Sequence, residues 1–317
     1  MRNGEGGGYE FHARRHTPSL AAAPKSVPQI DGVWEVPLDK PTPKGEQAWR
    51  FIVKQNGAEA SATILRVDGD TGALTGSFHD GKFVLSHFDG SRPGLMDVSL
   101  TKDGTLEIVE AASNRPGRFI AYRPEVARAK GFPEPSDYTT HTTVRDPNEK
   151  FTFTFPDADG KIVCSSDPKF KDKVIVAIVT GTWCPNCHDE AQYLASLYKK
   201  YRDQGLEIVA LDFEEPEQQD QLSRVKAFVK QYGVEYTYLI AGAPAEMWEK
   251  VPQAVNLNTW PATFFIGRDG LVKGIHAGFA APASGKFNSE LKDEFTSTIE
   301  RLLKDGGANK LSAAGGE

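Results

Sequence analysis

From Gln29 to Pro124, apolar and polar positions alternate in short runs, as in Trp49-Arg50-Phe51-Ile52-Val53, Ala62-Thr63-Ile64-Leu65-Arg66-Val67 and Phe83-Val84-Leu85. Alternation at period two sends successive side chains to opposite faces and predicts half-buried strands. Between the runs stand Asp68-Gly69-Asp70, Asp80-Gly81, Asp89-Gly90 and Asp103-Gly104, residues that accept positive φ and close hairpins. Residues 29–124 are therefore expected to form an antiparallel β domain. No helical period is sustained there, and no cluster of histidine, cysteine or paired carboxylates suggests catalysis.

The pattern then changes. Residues 125–150 hold Pro133, Pro135, Pro147 and several charges without periodicity, and are expected to be a linker. Beyond it the element types mix. Strands are expected at Phe151–Phe155, Lys161–Cys164, Val174–Thr180, Leu206–Phe213, Tyr236–Ile240, Ala262–Ile266 and Leu271–His276. Helices are expected at about Pro185–Arg202 and Gln218–Tyr232, and in a final helix where Phe287, Leu291, Phe295, Ile299 and Leu302 recur every three or four residues. Gly306-Gly307 is expected to end that helix. This order predicts an α/β domain over 151–305, a central mixed sheet with helices on both faces, and a flexible tail at 306–317.

At 317 residues the chain is long enough for two cores, and 39% apolar with 25% charged residues is the balance of a packed globular protein. A formal net charge of -6 offers no basic field to draw nucleic acid. The longest apolar run, Val174–Val179, is far short of the ~20 residues of a membrane-spanning helix. The first 28 residues, rich in Gly, Ala, Pro and Arg, lack the continuous apolar core of a secretory signal and are expected to be flexible.

Of three cysteines, two are separated by two residues, a spacing for redox or metal chemistry rather than a disulfide framework. Trp183-Cys184-Pro185-Asn186-Cys187 follows the β-branched strand directly and opens a helix, with Pro185 suited to the first turn. Unsatisfied N–H groups and the helix dipole favour a thiolate at Cys184, which makes it the nucleophile. Cys187, one turn further in, lies within disulfide reach and is the resolving thiol.

Strand, Trp-Cys-x-x-Cys, helix, and later Trp260-Pro261-Ala262-Thr263-Phe264-Phe265 together resemble a thioredoxin-fold protein, and within that fold the TlpA/ResA-like thiol-disulfide oxidoreductases. The resemblance covers about residues 151–303 and includes the additional β-α unit Leu206–Tyr232. It implies a cis proline at Pro261 beside the disulfide, with Trp183, Trp260 and Pro261 facing the substrate. Trp260 is bulkier than the Thr or Val common at that place in thioredoxins. The Asp that thioredoxin keeps before the motif is replaced near Ile178. The subgroup instead carries a Glu three residues after the second cysteine, which is Glu190 here, one turn from Cys187. The resemblance assigns it the resolving thiol's proton; the plainer reading is a solvated first-turn glutamate. It further implies a reductase of protein disulfides without bound cofactor or metal. That reductase would work outside the cytoplasm, fed by an upstream electron donor such as a membrane reductase. A cytoplasmic chain would draw on a thioredoxin-type system.

Cys184-Pro185-Asn186-Cys187-His188 also satisfies the C-x-x-C-H pattern of c-type haem attachment. The leading strand and the Trp260-Pro261 landmark point away from it, and His188 then reads as an exposed helix residue lowering the cysteine pKa. Zinc would need a second ligand pair, which Cys164 with His188 or His276 does not supply. A peroxiredoxin would need proline where Ala177 stands. Cys164 reads as a small buried hydrophobe or a regulatory thiol. A non-enzymatic docking module is the remaining alternative for the whole chain.

Overall fold

The computed structural model describes residues 26–88, 93–110, 117–218 and 222–313. Residues 1–25 and 314–317 of the two expected flexible ends lie outside them, as does the Asp89-Gly90 turn.

The alternating half forms β1 (Gly32–Pro37), β2 (Ala48–Asn56), β3 (Glu59–Arg66), β4 (Gly69–Asp70), β5 (Leu74–His79), β6 (Lys82–Phe88), β7 (Pro93–Leu100), β8 (Leu106–Glu110) and β9 (Gly117–Ala121). All join one antiparallel sheet in order β1-β2-β3-β5-β6-β7-β8-β9, with β4 against β3. Glu35 and Tyr122 exchange backbone hydrogen bonds of 2.8 Å each, which brings the chain leaving β9 back onto β1 and closes the meander into a barrel. Closure removes the unpaired edges an open sheet would expose. Trp34, Phe51, Val53, Ile64, Phe83, Leu85 and Val98 fill the interior. Ile52 and Leu65 point the other way and pack with the second half of the chain.

The expected linker is not featureless. It carries helix α1 (Pro124–Ala129) and β10 (Thr143–Val144). Tyr138 is tied down twice, its carbonyl accepting from Ala277 N at 2.8 Å and its hydroxyl from Arg50 Nη1 at 2.9 Å. Tertiary bonds thus order a stretch with no periodicity of its own.

The remainder comprises β11 (Thr154–Pro156), β12 (Ile162–Cys164), β13 (Val174–Thr180), α2 (Pro185–Tyr201), β14 (Leu206–Phe213), α3 (Ser223–Tyr232), β15 (Thr237–Gly242), α4 (Met247–Lys250), β16 (Ala254–Val255), β17 (Ala262–Ile266), β18 (Val272–Ala277) and α5 (Lys286–Ala313). The central sheet runs β15-β14-β13-β17-β18. β13, β14 and β15 are parallel, β17 is antiparallel to β13, and β18 is antiparallel to β17. Along β13 the pleat divides the core. Val174, Val176 and Ile178 face α2, α3 and α5, whereas Ile175, Ala177 and Val179 face Phe151, Phe153, Phe170 and Met247. Helices therefore do lie on both faces, but the three longer ones share one, and short α4 with a phenylalanine-rich segment covers the other.

Two local expectations are corrected. Phe151–Phe153 forms no ladder strand; Phe151 N instead bonds Gly270 O. Helix α5 continues through Gly306-Gly307 to Ala313, since glycine in a helix costs only about 1 kcal/mol and does not by itself terminate one.

Candidate active site

Every residue of β13 is buried, so the strand delivers Gly181-Thr182-Trp183 to the sheet's edge at a fixed position. Cys184 is the N-cap of α2, with Pro185 in its first turn. The Cys187 N–H donates to Cys184 Sγ at 3.3 Å, so the helix aims a donor at the sulfur in place of the usual side-chain oxygen cap. Cys184 is 4% exposed and Cys187 1%; both are free thiols.

The Trp260–Pro261 peptide is cis, as the resemblance implied, and Cys184 Sγ donates to Trp260 O at 3.5 Å. The Trp183 and Trp260 rings meet edge to face at 5.1 Å, and Trp183 Nε1 donates to Phe213 O at 2.9 Å. The structure therefore brings Trp183, Cys184, Cys187, Trp260 and Pro261 into one place.

Glu190 lies on the inner face of α2 with no exposure, which corrects the reading of a solvated first-turn glutamate. Thr263 Oγ1 donates to its Oε1 at 2.5 Å, and Oε2 has no partner among the described residues. Burial pushes the Glu190 carboxyl up to about 8 against the opposing Thr263 bond. Burial, and then the adjoining Cys184, push the Cys187 thiol well above its ordinary value, while a Thr180 hydrogen bond works the other way and the Glu190 charge adds to the rise. Burial likewise raises the Tyr236 phenol, which feels the charges of both Glu190 and Cys187. A thiol and a carboxyl that each disfavour ionisation, and sense one another, form a pair between which a proton can pass.

His188 is not the exposed residue expected. Its ring is half-buried against Phe228 at 4.8 Å, Nδ1 bonded with Tyr232 Oη and Nε2 with Thr182 O, each at 2.8 Å. Both nitrogens hold the motif loop to α3, which leaves neither for a haem iron. Cys164 ends β12 half-buried, at some remove in the chain from this motif.

Sequence reasoning missed Thr263, Thr180 and two further acids. Asp212 and Glu214, at the end of β14, have no exposure. Glu214 Oε1 accepts from Thr182 N at 2.7 Å, and Asp212 Oδ1 from Tyr238 Oη at 3.0 Å. Burial, followed by the Glu214 charge, raises the Asp212 carboxyl well above its usual range. Their signal was available: the two acids flank Phe213 directly after the apolar stretch Ile208–Leu211.

A mixed sheet whose central strand leads into a Cys-x-x-Cys helix facing a cis-proline loop defines a thioredoxin-fold domain. The AhpC/TSA family profile matches residues 147–275. The thiol-disulfide oxidoreductase ResA of Geobacillus kaustophilus is 31% identical over 141 residues, 44% of this chain and 74% of that protein. The chain belongs to the ResA family of thiol-disulfide oxidoreductases. ResA of Bacillus thuringiensis is 33% identical over 120 residues, 38% of this chain, and the chain spans 62% of that relative's length. A thioredoxin-family thiol:disulfide interchange protein of Chlorobium tepidum superposes with a TM-score of 0.38 at 22% identity, over 51% of this chain and 99% of that one. All of these alignments cover about half of this chain or less.

Proposed function

We propose that the protein is a disulfide reductase of protein substrates, working through Cys184, Cys187 and Glu190. The observation that carries this reading is the burial of a carboxyl raised to about 8 on the same helix face as the resolving thiol.

In the forward half-reaction the Cys184 thiolate attacks one sulfur of a substrate disulfide. A new S–S bond forms, the substrate S–S bond breaks, and the leaving sulfur departs as a thiolate that takes up a proton. Cys187 then gives its proton to the Glu190 carboxylate and attacks Cys184 Sγ. The second substrate sulfur leaves, and the Cys184–Cys187 disulfide holds the two-electron oxidation. A dithiol donor protein reverses these steps on the enzyme. The chemistry as written requires no bound cofactor. Trp183, Trp260 and cis Pro261 frame the approach to Cys184, and the substrate's main chain passes along this loop. Its place is outside the cytoplasm, where the ResA-type resemblance puts such a reductant. Among the described residues no helix is long and apolar enough to cross a membrane.

The test is the midpoint potential in glutathione and dithiothreitol buffers, with Cys187→Ser as control. A single two-electron couple below about -220 mV, lost in the variant, fits a reductase; a value near about -120 mV makes it an oxidant. Cys187→Ser should also trap a mixed disulfide with a protein substrate. No titratable couple would sink the enzymatic reading.

A further inference from the structure

The barrel reaches the thiol site through the hairpin between β3 and β4, and Asp68 at its tip touches three parts of that site. Its carbonyl accepts from Asn186 Nδ2 at 3.1 Å and from Phe279 N at 3.0 Å. Its Oδ1 accepts from Trp260 N at 3.2 Å and pairs with Lys44. One barrel residue therefore holds the residue between the two cysteines, the residue before the cis proline, and the chain leaving β18. Behind the tip, Val67 N donates to buried Glu46 Oε1 at 2.8 Å, and Asp70 Oδ2 accepts from Ser284 N at 3.2 Å.

The sequence is built for this approach. Gly69 and Gly278 have φ of +121° and +72°, and a Cβ on either would stand 2.1 Å from a backbone oxygen across the contact, that of Phe279 or of Val67. Only glycine permits backbones so close. Cys184, whose Sγ donates to the carbonyl of the same Trp260 that Asp68 holds, is 4% exposed, although a nucleophilic sulfur must reach bonding distance of a partner's sulfur. The Trp260 N–H, a main-chain donor on the approach to that sulfur, is already taken by Asp68.

We propose that the barrel hairpin is a lid on the thiol site, latched by Asp68, and that it selects by bulk: a protein disulfide reaches Cys184 only when the latch opens, whereas small thiol reagents pass it. The lid gives the barrel a task and rests on the reading of Cys184 as the exchanging thiol.

The experiment uses the full chain with Cys164→Ser and Cys187→Ser, so that Cys184 is the sole thiol of the three. N-ethylmaleimide and a polymer-tailed maleimide share one chemistry, so the ratio of their rates cancels any change in thiol reactivity and reports access alone. The native latch should strongly favour the small reagent. Asp68→Ala should raise the large-to-small ratio about tenfold, the factor for losing one hydrogen bond to a charged acceptor. Asn186→Ala, which breaks the latch from the other side, should move it the same way and covers the case in which Asp68→Ala fails to fold. Equal access of both reagents to the native protein, or a ratio unmoved in both variants, overturns the lid. A size-selective Cys184 in this chain, together with no titratable couple in the native protein, would instead overturn the reductase reading and leave the lid standing.

Discussion

Thr263 and Glu190 face each other across the gap between β17 and α2, the threonine hydroxyl donating to Glu190 Oε1 at 2.5 Å with neither side chain exposed. The bond favours the carboxylate and partly offsets the burial that holds Glu190 near 8. Removing it in Thr263→Val raises Glu190 further. The proton acceptor is then less often ionised at neutral pH, and release of substrate from the mixed disulfide slows about tenfold for each pH unit by which the carboxyl rises. Stopped-flow release across pH should show the rise displaced to higher pH with its plateau kept; an unmoved profile removes Thr263 from the mechanism.

Glu190→Gln keeps the shape of the side chain and deletes the acceptor. The resolving step should fall by about 10²-fold or more, the usual contribution of a positioned general base, and lose its ionisation near 8. The first attack by Cys184 should be spared, so the mixed disulfide accumulates and is visible on non-reducing gels. Equal slowing of both steps would make Glu190 a structural residue only.

The barrel strands, the redox helix and the buried central strand were legible because each has a strong local signal. The period-two runs around Phe51 and Phe83, the wholly apolar Val174–Val179 and the Pro185 helix start are such cases. Barrel closure through Glu35 and Tyr122 has no local signature, since it pairs residues far apart in the chain. The same holds for Asp68, whose Asp-Gly step reads as a turn and whose partners, Asn186, Trp260 and Phe279, lie in the other half. His188 was misjudged because a helix position alone does not reveal which neighbour covers it; here Phe228 and Tyr232 of α3 do. Gly306-Gly307 does not end α5, because a pair of poor helix formers lowers helix propensity but stops a helix only with a capping contact.

Buried acids also set how stability follows pH. Glu190 holds its proton in the folded chain up to about 8, against 4.5 for the free side chain, so the unfolded chain releases the proton first. The contribution of this group is full at low pH and is lost as pH rises from about 4.5 through 8, at about 1.4 kcal/mol per pH unit. Asp212 is raised too and acts with the same sign. Urea midpoints of the native protein should therefore fall across this window, and Glu190→Gln should flatten the slope, gaining on the native protein as pH rises. Parallel curves for the two would contradict the buried carboxyl.

Glu214 is a positioning residue, since it holds the chain just before the motif rather than touching a sulfur. Its Oε1 accepts the Thr182 N–H at 2.7 Å with both residues buried. Glu214→Ala strands that N–H, which costs about 1–3 kcal/mol for a buried donor left unpaired, and loosens the loop that carries Trp183 and Cys184. Glu214→Gln retains an acceptor oxygen and should restore most of the stability. It also removes a negative charge beside Asp212, whose carboxyl should then fall back toward its usual range. Thermal unfolding of the two variants, with the midpoint potential measured on each, separates these effects. Alanine should lose stability and glutamine should recover it, and a potential displaced in alanine but native in glutamine shows that the Thr182 bond positions the thiols. Equal stability of all three proteins would show that the bond contributes nothing.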